Sequence, residues 1–462
     1  MASESSSISP PSSESVVYYK EKLKSSLPRY LLQDTNIKKS KTYKPAIYKS
    51  TRRNRQKYTQ RIEEDLESQL IVYHKIYEAQ DLQQFPVELV QPRENATIFS
   101  LARNEDLYGM LKTIRNFEDR FNHNYHYDWI FANNEPFTEN FKALVSNMCS
   151  GTVKFIVIPK PMWDYPDFID QTKAAESRER MGRKGVKYGE LESYRHMCRF
   201  FSGLFFQMDE FKKYKYVWRV EPDVQFHCNM NYDPFKIMRE NDKVYGFTMA
   251  PLEIHTTVMT LWDSTLEYMR TFPERIAANN NFAFLTDDRG KSFNMCHFWS
   301  NFEIADMDFY RSDEYMHFFN FLDKKGGIYY ERWGDAPIHS IGVSILLPYS
   351  KLQYFGNTGY YHAPNLQCDG SDRMFLDNQC ICDPKRDFTW SDGSCIPKFF
   401  EIHGSTLQRP EYVPENVKYL PIHNKNLRRL AMKFRGVGAW QEEFDFPYEP
   451  DKEDAKDVSE IN

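Results

Sequence analysis

The sequence predicts an α/β fold in which a parallel, Rossmann-like sheet is covered by helices on both faces. From about residue 95 onward, short apolar runs rich in β-branched and aromatic residues alternate with longer runs of helical periodicity. Such alternation is typical of parallel strands joined through crossover helices. The 462 residues, of which 41% are hydrophobic and 16% aromatic, are sufficient for a large core. Neither G-x-G-x-x-G nor G-x-x-x-x-G-K-[ST] occurs, so a conventional dinucleotide fold and a P-loop are not supported.

The predicted elements follow one another in a regular order. Five strands are expected at Thr97–Ala102, Tyr127–Ala132, Val153–Ile158, Tyr216–Glu221 and Lys243–Met249. Four helices are expected at Asn104–Phe121, Phe137–Met148, Tyr188–Phe211 and Val258–Ala278, the first with Asn104 as its cap. Beyond residue 301 the pattern predicts a helix over 309–324 that ends at Gly326–Gly327. The apolar run 341–347 is expected to be a buried strand or helix.

Composition divides the chain into four regions. Residues 1–60 are first Ser/Pro-rich and then basic, which predicts a disordered, stem-like segment, and 61–94 form a helical lead-in. Residues 95–440 are expected to form one large domain, and 441–462 an acidic tail. The basic run 38–61 is interpreted as a solvated stalk rather than a nucleic-acid patch, since aromatic stacking residues are sparse and the net charge is −5. No run of 18 apolar residues and no signal peptide are visible, so we expect no membrane anchor within this sequence.

The eight cysteines are unevenly spaced. Four are scattered through the first two thirds of the chain, and four crowd into a polar, loop-like segment at 366–398 that looks like an insertion. The clustered four are Cys368, Cys380, Cys382 and Cys395. A C-x-C spacing without any C-x-x-C is poor for zinc, so disulfides are favoured over a zinc site. Disulfides predict an oxidising compartment.

Two carboxylates follow the strand that begins at Tyr216. Pro222 cannot donate to a sheet ladder, so it ends the strand and leaves Glu221 and Asp223 at the strand's carboxyl end. Open α/β sheets bind ligands at that edge. Hard oxygen donors there suit a divalent cation that also holds phosphates, and a solvated turn is the alternative.

Three further motifs contain candidate site residues. Glu253 follows a predicted strand and would reach the same sheet edge, although a solvated loop residue is the alternative. Glu303 lies between Phe302 and Ile304, so it is either a functional carboxylate or half of a buried salt bridge. His362 would suit manganese among carboxylates, with His297 and His339 as rival ligands. Tyr194 lies on a predicted helix, where aromatic residues are usually part of the core.

These motifs together resemble the fungal α-1,2-mannosyltransferase family, glycosyltransferase family 15. The matching strings are Ser193–Phe200, Glu221–Asp223, Cys296–Ile304, Tyr330–Pro337 and Gly359–Pro364. The resemblance covers about residues 95–364. It implies a GT-A-like, Rossmann-type mixed sheet flanked by helices, in a single large catalytic domain. It also implies a Golgi-lumen enzyme that transfers mannose from GDP-mannose to a mannosyl acceptor on N- or O-linked glycans, with retention of the α configuration and with Mn²⁺.

The resemblance also implies roles for individual residues. The manganese ligands would be Glu221 and His362, and Glu303 would be the candidate nucleophile. Tyr194 would lie near the reacting sugar and Glu253 in the same pocket. The donor site would be shaped by Arg219, Asp223 and Asp335, with Arg103 as a phosphate contact. Whether retention uses a covalent glycosyl-Glu303 or front-face attack stays open in the sequence.

Two departures from the family pattern are visible. Family members usually begin with a cytosolic tail and a signal-anchor helix, which this sequence does not show, and the cysteine-rich segment fits only some members. Two alternative functions therefore remain: transfer of mannose phosphate by the same fold, and a catalytically silent mannan-binding protein.

Overall fold

A computed structural model of the chain describes residues 93–368 and 372–405. Its centre is a seven-stranded sheet in the order β3-β2-β1-β4-β7-β6-β8, beside a three-stranded sheet in the order β10-β9-β5. The strands are β1 Ala96–Leu101, β2 Asp128–Asn133, β3 Val153–Val157, β4 Tyr216–Val220, β5 Gln225–Phe226, β6 Tyr245–Phe247, β7 Phe302–Asp306, β8 Leu352–Tyr354, β9 Tyr360–His362 and β10 Asn365–Leu366. The five predicted strands are confirmed as β1, β2, β3, β4 and β6, with ends shifted by one or two residues.

The large sheet is mixed rather than fully parallel. Strand β7 pairs antiparallel with β4 on one side and with β6 on the other, while the remaining pairs are parallel. The α/β class and the mixed sheet implied by the family resemblance are confirmed. The expectation of a parallel sheet from strand and helix alternation is wrong at β7, because β7 runs antiparallel to both of its neighbours although two helices, Leu261–Thr271 and Phe282–Leu285, precede it.

Helices cover both faces of the sheet. They are α1 Leu107–Arg120, α2 Glu139–Met148, α3 Gln171–Arg183, α4 Glu192–Arg199, α5 Asp209–Lys212, α6 Pro234–Glu240, α7 Leu261–Thr271, α8 Phe282–Leu285, α9 Met307–Arg311, α10 Asp313–Lys325, α11 Gly327–Tyr330, α12 Asp335–Leu346, α13 Asp372–Asp377 and α14 Ile396–Ile402. Among the residues that the structure describes, no helix is both long enough and apolar enough to cross a bilayer. The run 341–347 lies within α12, so the helical alternative is the correct one.

The helix expected over Tyr188–Phe211 is interrupted. Residues before Glu192 form a turn, and α4 continues into a π-helical segment, Phe200–Leu204, and then a short 3₁₀ turn. In the π-helical segment the Phe205 N–H bonds to the Phe200 carbonyl, five residues back. The aromatic side chains around this break pack against the sheet, as Phe99 does against Phe205 at 5.0 Å between ring centroids. Packing therefore overrides regular helix geometry at this point.

The core follows the alternation of side chains along the strands. In β4, Val217 packs into the cluster on one face and Trp218 into the cluster on the other. In β1, Phe99 likewise packs into the first cluster and Ile98 into the second. Both faces of the sheet are therefore buried.

Six cysteines form three disulfides, which confirms the preference for disulfides over zinc. The pairs are Cys228–Cys380, Cys296–Cys395 and Cys368–Cys382, and Cys149 and Cys198 are free thiols. Two of these bonds join the cysteine-rich segment 366–398 to distant parts of the main domain, with sequence separations of 152 and 99 residues. The segment is thus attached to the loops that surround the carboxyl ends of the strands.

The predicted regions 1–60 and 441–462 lie outside the described residues, as does 61–94 except for its last two residues. The domain expected at 95–440 is described as far as residue 405, apart from 369–371. These boundaries stay predictions.

Candidate active site

A cavity of about 640 Å³ opens at the carboxyl ends of β1, β4 and β6 and at the start of β7. This volume is typical of a small-molecule site. Seven of the nine residues that the sequence singled out line it. They are Arg103, Tyr194, Arg219, Glu221, Glu253, Asp335 and His362. Asp223 and Glu303 are not among the lining residues.

Glu221 and His362 face one another in this cavity. Gln225 in β5 pairs with Tyr361 in β9, which brings His362 beside the residue that ends β4. His362 Nε2 lies 3.5 Å from Glu221 Oε2, too far for a good hydrogen bond. The Nδ1–H of His362 donates to the Ala363 carbonyl at 3.2 Å, so Nε2 presents its lone pair to the gap. One carboxylate oxygen and one imidazole nitrogen are donors that suit a divalent ion such as manganese.

Glu221 is held in its ionised form. Burial alone would raise its pKa, but the charge of Arg219 and the imidazole of His362 lower that pKa to about 2. The guanidinium of Arg219 donates to Oε1, through Nε at 3.0 Å and through Nη2. Oε1 is therefore occupied by Arg219, and Oε2 is the oxygen that faces His362.

Asp223 lies apart from Glu221. The residue adopts a left-handed backbone conformation with φ of +61°, so its exposed side chain turns away from the cavity. A Cβ atom on Gly109 of α1 would lie 2.7 Å from Asp223 Oδ2, which shows how closely this carboxylate packs on the helix. The structure therefore places Glu221, but not Asp223, among the residues that line the cavity.

Arg219 is the centre of a buried charge network. Its Nη1 donates to Asp335 Oδ2 at 2.5 Å, and the Ser300 hydroxyl donates to the same oxygen at 2.6 Å. The guanidinium also stacks on the ring of Phe201 at 3.5 Å. Burial would raise the pKa of Asp335, but Arg219 and His339 lower it. This arrangement fixes the guanidinium that in turn orients Glu221.

Glu303 is buried behind this network. It is the β7 partner of Arg219 in β4, it is 2% exposed, and its Oε2 accepts hydrogen bonds from His339 Nδ1 at 2.8 Å and from the Tyr245 hydroxyl at 3.2 Å. His339 Nε2 lies 3.0 Å from the carbonyl of Phe201. Of the two interpretations from the sequence, the observed geometry is that of the buried ion pair.

Both ring nitrogens of His339 face oxygen atoms. Nδ1 faces the Glu303 carboxylate and Nε2 faces the Phe201 carbonyl, an arrangement that favours the doubly protonated imidazolium. Burial would lower the pKa of His339, but the Glu303 carboxylate raises it. Both nitrogens of His339 are engaged in this geometry and His339 does not line the cavity, whereas His297 does.

Tyr194 and Glu253 lie together at another part of the cavity. The ring of Tyr194 stacks on that of Tyr188 at 4.7 Å, and the guanidinium of Arg332 lies 5.2 Å from its centroid. Burial raises the pKa of the Tyr194 hydroxyl, so it stays protonated. Glu253 Oε1 accepts from the Ile254 N–H at 2.6 Å and lies 3.6 Å from Arg332 Nη2.

Arg103 and two aromatic residues also line the cavity. Arg103 follows β1 and is largely exposed, pairing with Glu105 and Asp106 at 2.8 Å each. Tyr188 and Trp299 also line the cavity, although the sequence alone did not single them out as site residues. Both could have been predicted from the sequence, because each lies in a motif that contains a candidate site residue. Tyr188 shares its motif with Tyr194, and Trp299 shares its motif with Glu303. Trp299 lies against His362, with 4.8 Å between ring centroids.

Comparisons with known proteins place the chain in a family. The model of the glycolipid 2-alpha-mannosyltransferase family matches residues 39–404. The alpha-1,2 mannosyltransferase KTR1 of Saccharomyces cerevisiae is 49% identical over 312 residues, which cover 68% of this chain and 79% of KTR1. The glycolipid 2-alpha-mannosyltransferase 2 of Candida albicans is 47% identical over 323 residues, 70% of each chain.

Solved structures agree with this assignment. The crystal structure of core-mannan synthase A (CmsA/Ktr4) from Aspergillus fumigatus, in its Mn/GDP form, is 37% identical with a TM-score of 0.64, over 68% of this chain and 87% of that one. The mannosyltransferase Ktr4p of S. cerevisiae in complex with GDP is 37% identical with a TM-score of 0.63, over 68% and 83% of the two chains. The fold, the ordered motifs and the family match lead to one conclusion: this chain belongs to the glycolipid 2-alpha-mannosyltransferase family, glycosyltransferase family 15.

Proposed function

We propose that this protein is a divalent-metal-dependent, retaining α-1,2-mannosyltransferase that transfers mannose from GDP-mannose to a mannosyl acceptor on N- or O-linked glycans. The observation that carries the proposal is the Glu221–His362 pair, which faces a cavity of about 640 Å³ at the sheet edge. Membership of the family and the GDP bound in two of its solved structures support the donor.

The metal would be held by Glu221 Oε2 and His362 Nε2, and we propose manganese. No group of three or more potential metal-binding side chains occurs among the described residues, so the donor diphosphate and water would complete the coordination. A mixed oxygen and nitrogen donor set fits manganese, and a structure of a relative in a Mn/GDP form supports this choice. When bound, such a cation neutralises the charge that develops on the departing diphosphate.

The chain's own residues would position the donor. Asp335 and Ser300 hold Arg219, and Arg219 fixes the orientation of Glu221, so the ligand geometry is preorganised before the donor arrives. Arg103 lines the cavity at the end of β1, where it would contact a donor phosphate. Asp223 packs on α1, so we assign it no direct contact with substrate.

We assign Glu303 a positioning role rather than that of a nucleophile. Glu303 does not line the cavity, its Oε2 is bonded to His339 and Tyr245, and Arg219 is its strand partner. Retention would then follow from attack by the acceptor hydroxyl on the face from which GDP departs. The bond from the anomeric carbon to the phosphate oxygen breaks, the bond to the acceptor oxygen forms, and the hydroxyl proton passes to the departing phosphate.

Glu303→Gln tests this role. We expect kcat to fall about 10- to 100-fold while the KM for GDP-mannose changes less than about threefold, because the variant removes the charge that holds His339 and Arg219 but no contact to the donor. Tyr245→Phe, which removes the longer of the two hydrogen bonds to Glu303, should have a smaller effect in the same assay. A loss above about 10⁴-fold, together with a mannosyl adduct on Glu303 of the wild-type enzyme in mass spectrometry, would establish a nucleophile instead.

One assay tests the proposed function as a whole. The protein is incubated with GDP-mannose, Mn²⁺ and methyl α-mannoside, GDP release is measured, and the product linkage is determined by NMR. We expect an α-1,2-linked mannobioside, and loss of turnover when EDTA removes the metal. A product heavier by one phosphate would identify a mannosylphosphate transferase. If no GDP is released from GDP-mannose in the presence of the acceptor, the protein would be a mannan-binding protein without transferase activity.

The compartment is part of the proposal. Three disulfides indicate an oxidising environment, which the Golgi lumen satisfies and which agrees with the family. Nucleic acid is not proposed as a partner. Co-fractionation of the protein with Golgi markers, in a protease-protected form, is the expected result, and a cytosolic pool would contradict it.

A further inference from the structure

His362 lies on a sheet that is much smaller than the one that holds Glu221. Glu221 follows β4 in the middle of the seven-stranded sheet, whereas His362 ends β9, the middle strand of the three-stranded sheet. Two residue pairs join β9 to β5, and two more join it to β10. A sheet of this size is marginally stable on its own. The position of His362 relative to Glu221 therefore depends on what holds β5, β9 and β10 together.

Both outer strands of the small sheet are bonded to one short stretch, residues 380–382, which we call the C-x-C clamp. Cys228, two residues after the end of β5, forms a disulfide with Cys380. Cys368, two residues after the end of β10, forms a disulfide with Cys382. The two disulfides thus link β5 to β10 through the C-x-C clamp, and β9 lies between these two strands.

The sulfur atoms, rather than the residue between them, attach the C-x-C clamp. Cys380 and Cys382 are buried, whereas Ile381 is 66% exposed. The backbone of Ile381 also takes part, since its N–H donates to the His227 carbonyl at 2.9 Å. Because the central side chain buries little surface, the attachment of the C-x-C clamp depends on its sulfur–sulfur bonds.

The disulfides pack on the side of β9 opposite to His362. Successive side chains of a strand point to opposite faces. Tyr361 packs against the cluster formed by Leu366 and the four cysteines of the two bonds, whereas Tyr360 packs into the core of the large domain. His362 shares the face of Tyr360, and its Nε2 faces Glu221. The disulfide cluster therefore supports β9 from behind, and His362 faces the proposed metal site in front.

We propose that the two cysteines of the C-x-C clamp and their partners, Cys228 and Cys368, are positioning residues for His362. The two disulfides fix β9 between β5 and β10, and so hold the imidazole where it can share a metal ion with Glu221. This inference rests on the proposed metal site, and hence on the proposed function. A ligand that is in place for only a fraction of the time weakens the apparent metal affinity by that fraction. Loss of a disulfide should therefore act on metal affinity, and only through His362.

The double variant Cys368→Ala/Cys382→Ala tests the proposal, because this bond closes a short loop, with a sequence separation of 14. The affinity for Mn²⁺ in the presence of GDP is measured by electron paramagnetic resonance, and hydrogen exchange is measured on the metal-free protein. We expect the affinity for Mn²⁺ to fall about tenfold, as it would if His362 were in place for about a tenth of the time. The backbone amides of residues 359–367 should exchange faster. Cys228→Ala/Cys380→Ala should change both quantities in the same direction.

Cys296→Ala/Cys395→Ala is the matched control. It removes the third disulfide, which joins α14 to the segment before β7 and lies outside the small sheet. Its sequence separation is 99 against 14, so it should lose more unfolding free energy than Cys368→Ala/Cys382→Ala. It should nevertheless keep the wild-type affinity for Mn²⁺ and the wild-type exchange of residues 359–367.

A double-mutant cycle with His362→Ala separates positioning from general stabilisation. In the His362→Ala background, loss of the Cys368–Cys382 bond should cause no further loss of Mn²⁺ affinity, because the side chain that the bond positions is absent. An equal further loss in that background would overturn the proposal, as would a wild-type affinity for Mn²⁺ in both variants of the C-x-C clamp. A wild-type protein that binds no Mn²⁺ in the presence of GDP would instead refute the proposed metal site itself.

Discussion

Glu221→Ala is expected to lower kcat/KM for mannose transfer by 10³-fold or more, which corresponds to about 4 kcal/mol of transition-state stabilisation. The variant removes one of two side chains proposed to hold the metal, and it leaves an imidazole alone at the site. The fold should survive, because Arg219 keeps its bond to Asp335 and Glu221 lies at the cavity surface.

The measurement pairs activity with metal binding. GDP release is followed over a range of Mn²⁺ concentrations, and the affinity for Mn²⁺ in the presence of GDP is determined by electron paramagnetic resonance. Asp223→Ala is the comparison, because it removes a carboxylate two residues away that packs on Gly109, and we expect it to lose less than tenfold in kcat/KM. Manganese-dependent turnover near the wild-type rate in Glu221→Ala would remove Glu221 from the metal site.

The double variant Cys296→Ala/Cys395→Ala is expected to lose about 3–5 kcal/mol of unfolding free energy. The bond closes a loop of 99 residues, and a cross-link of that size restricts the unfolded chain by about 4–5 kcal/mol in the chain-entropy model. It also joins α14 to the segment before β7, next to the backbone bond from Glu253 N–H to the Met295 carbonyl. Loss of the bond should therefore loosen the cavity wall that contains Glu253.

Guanidinium-induced unfolding measures this effect directly. Cys149→Ala is the control, since Cys149 is a free, half-buried thiol, and its removal should cost about 1 kcal/mol or less. A double variant as stable as the control would show that the Cys296–Cys395 bond contributes nothing to stability.

Local sequence patterns predicted the first half of the sheet well. The strands β1, β2, β3 and β4 are short runs of buried residues between turn or helix signals, and each pattern is complete within its own segment. The same reasoning predicted that Glu221 and Glu253 lie at one edge of the sheet, because parallel strands end on the same side of a sheet. His362 could be placed there only through the family resemblance. Its position depends on the pairing of Gln225 with Tyr361, two residues that lie 136 positions apart in the chain.

Long-range contacts explain what the sequence did not show. The antiparallel strand β7 has no local feature that reveals its direction, so neither the mixed sheet nor the register between Glu303 and Arg219 could be worked out from periodicity. The left-handed turn at Asp223 likewise depends on packing against Gly109. A carboxylate between two apolar residues was correctly recognised as buried, but its partner His339 lies 36 residues further along the chain.

The single π-helical turn after α4 has an electrostatic consequence. In a regular α-helix the Phe201 carbonyl would accept the N–H of Phe205, but that N–H has shifted to Phe200 and leaves the Phe201 oxygen available. The oxygen accepts from His339 instead, and thereby helps to keep a cation next to Glu303. One additional residue in a helical turn thus supplies a hydrogen-bond acceptor to an imidazole 138 positions away in the chain.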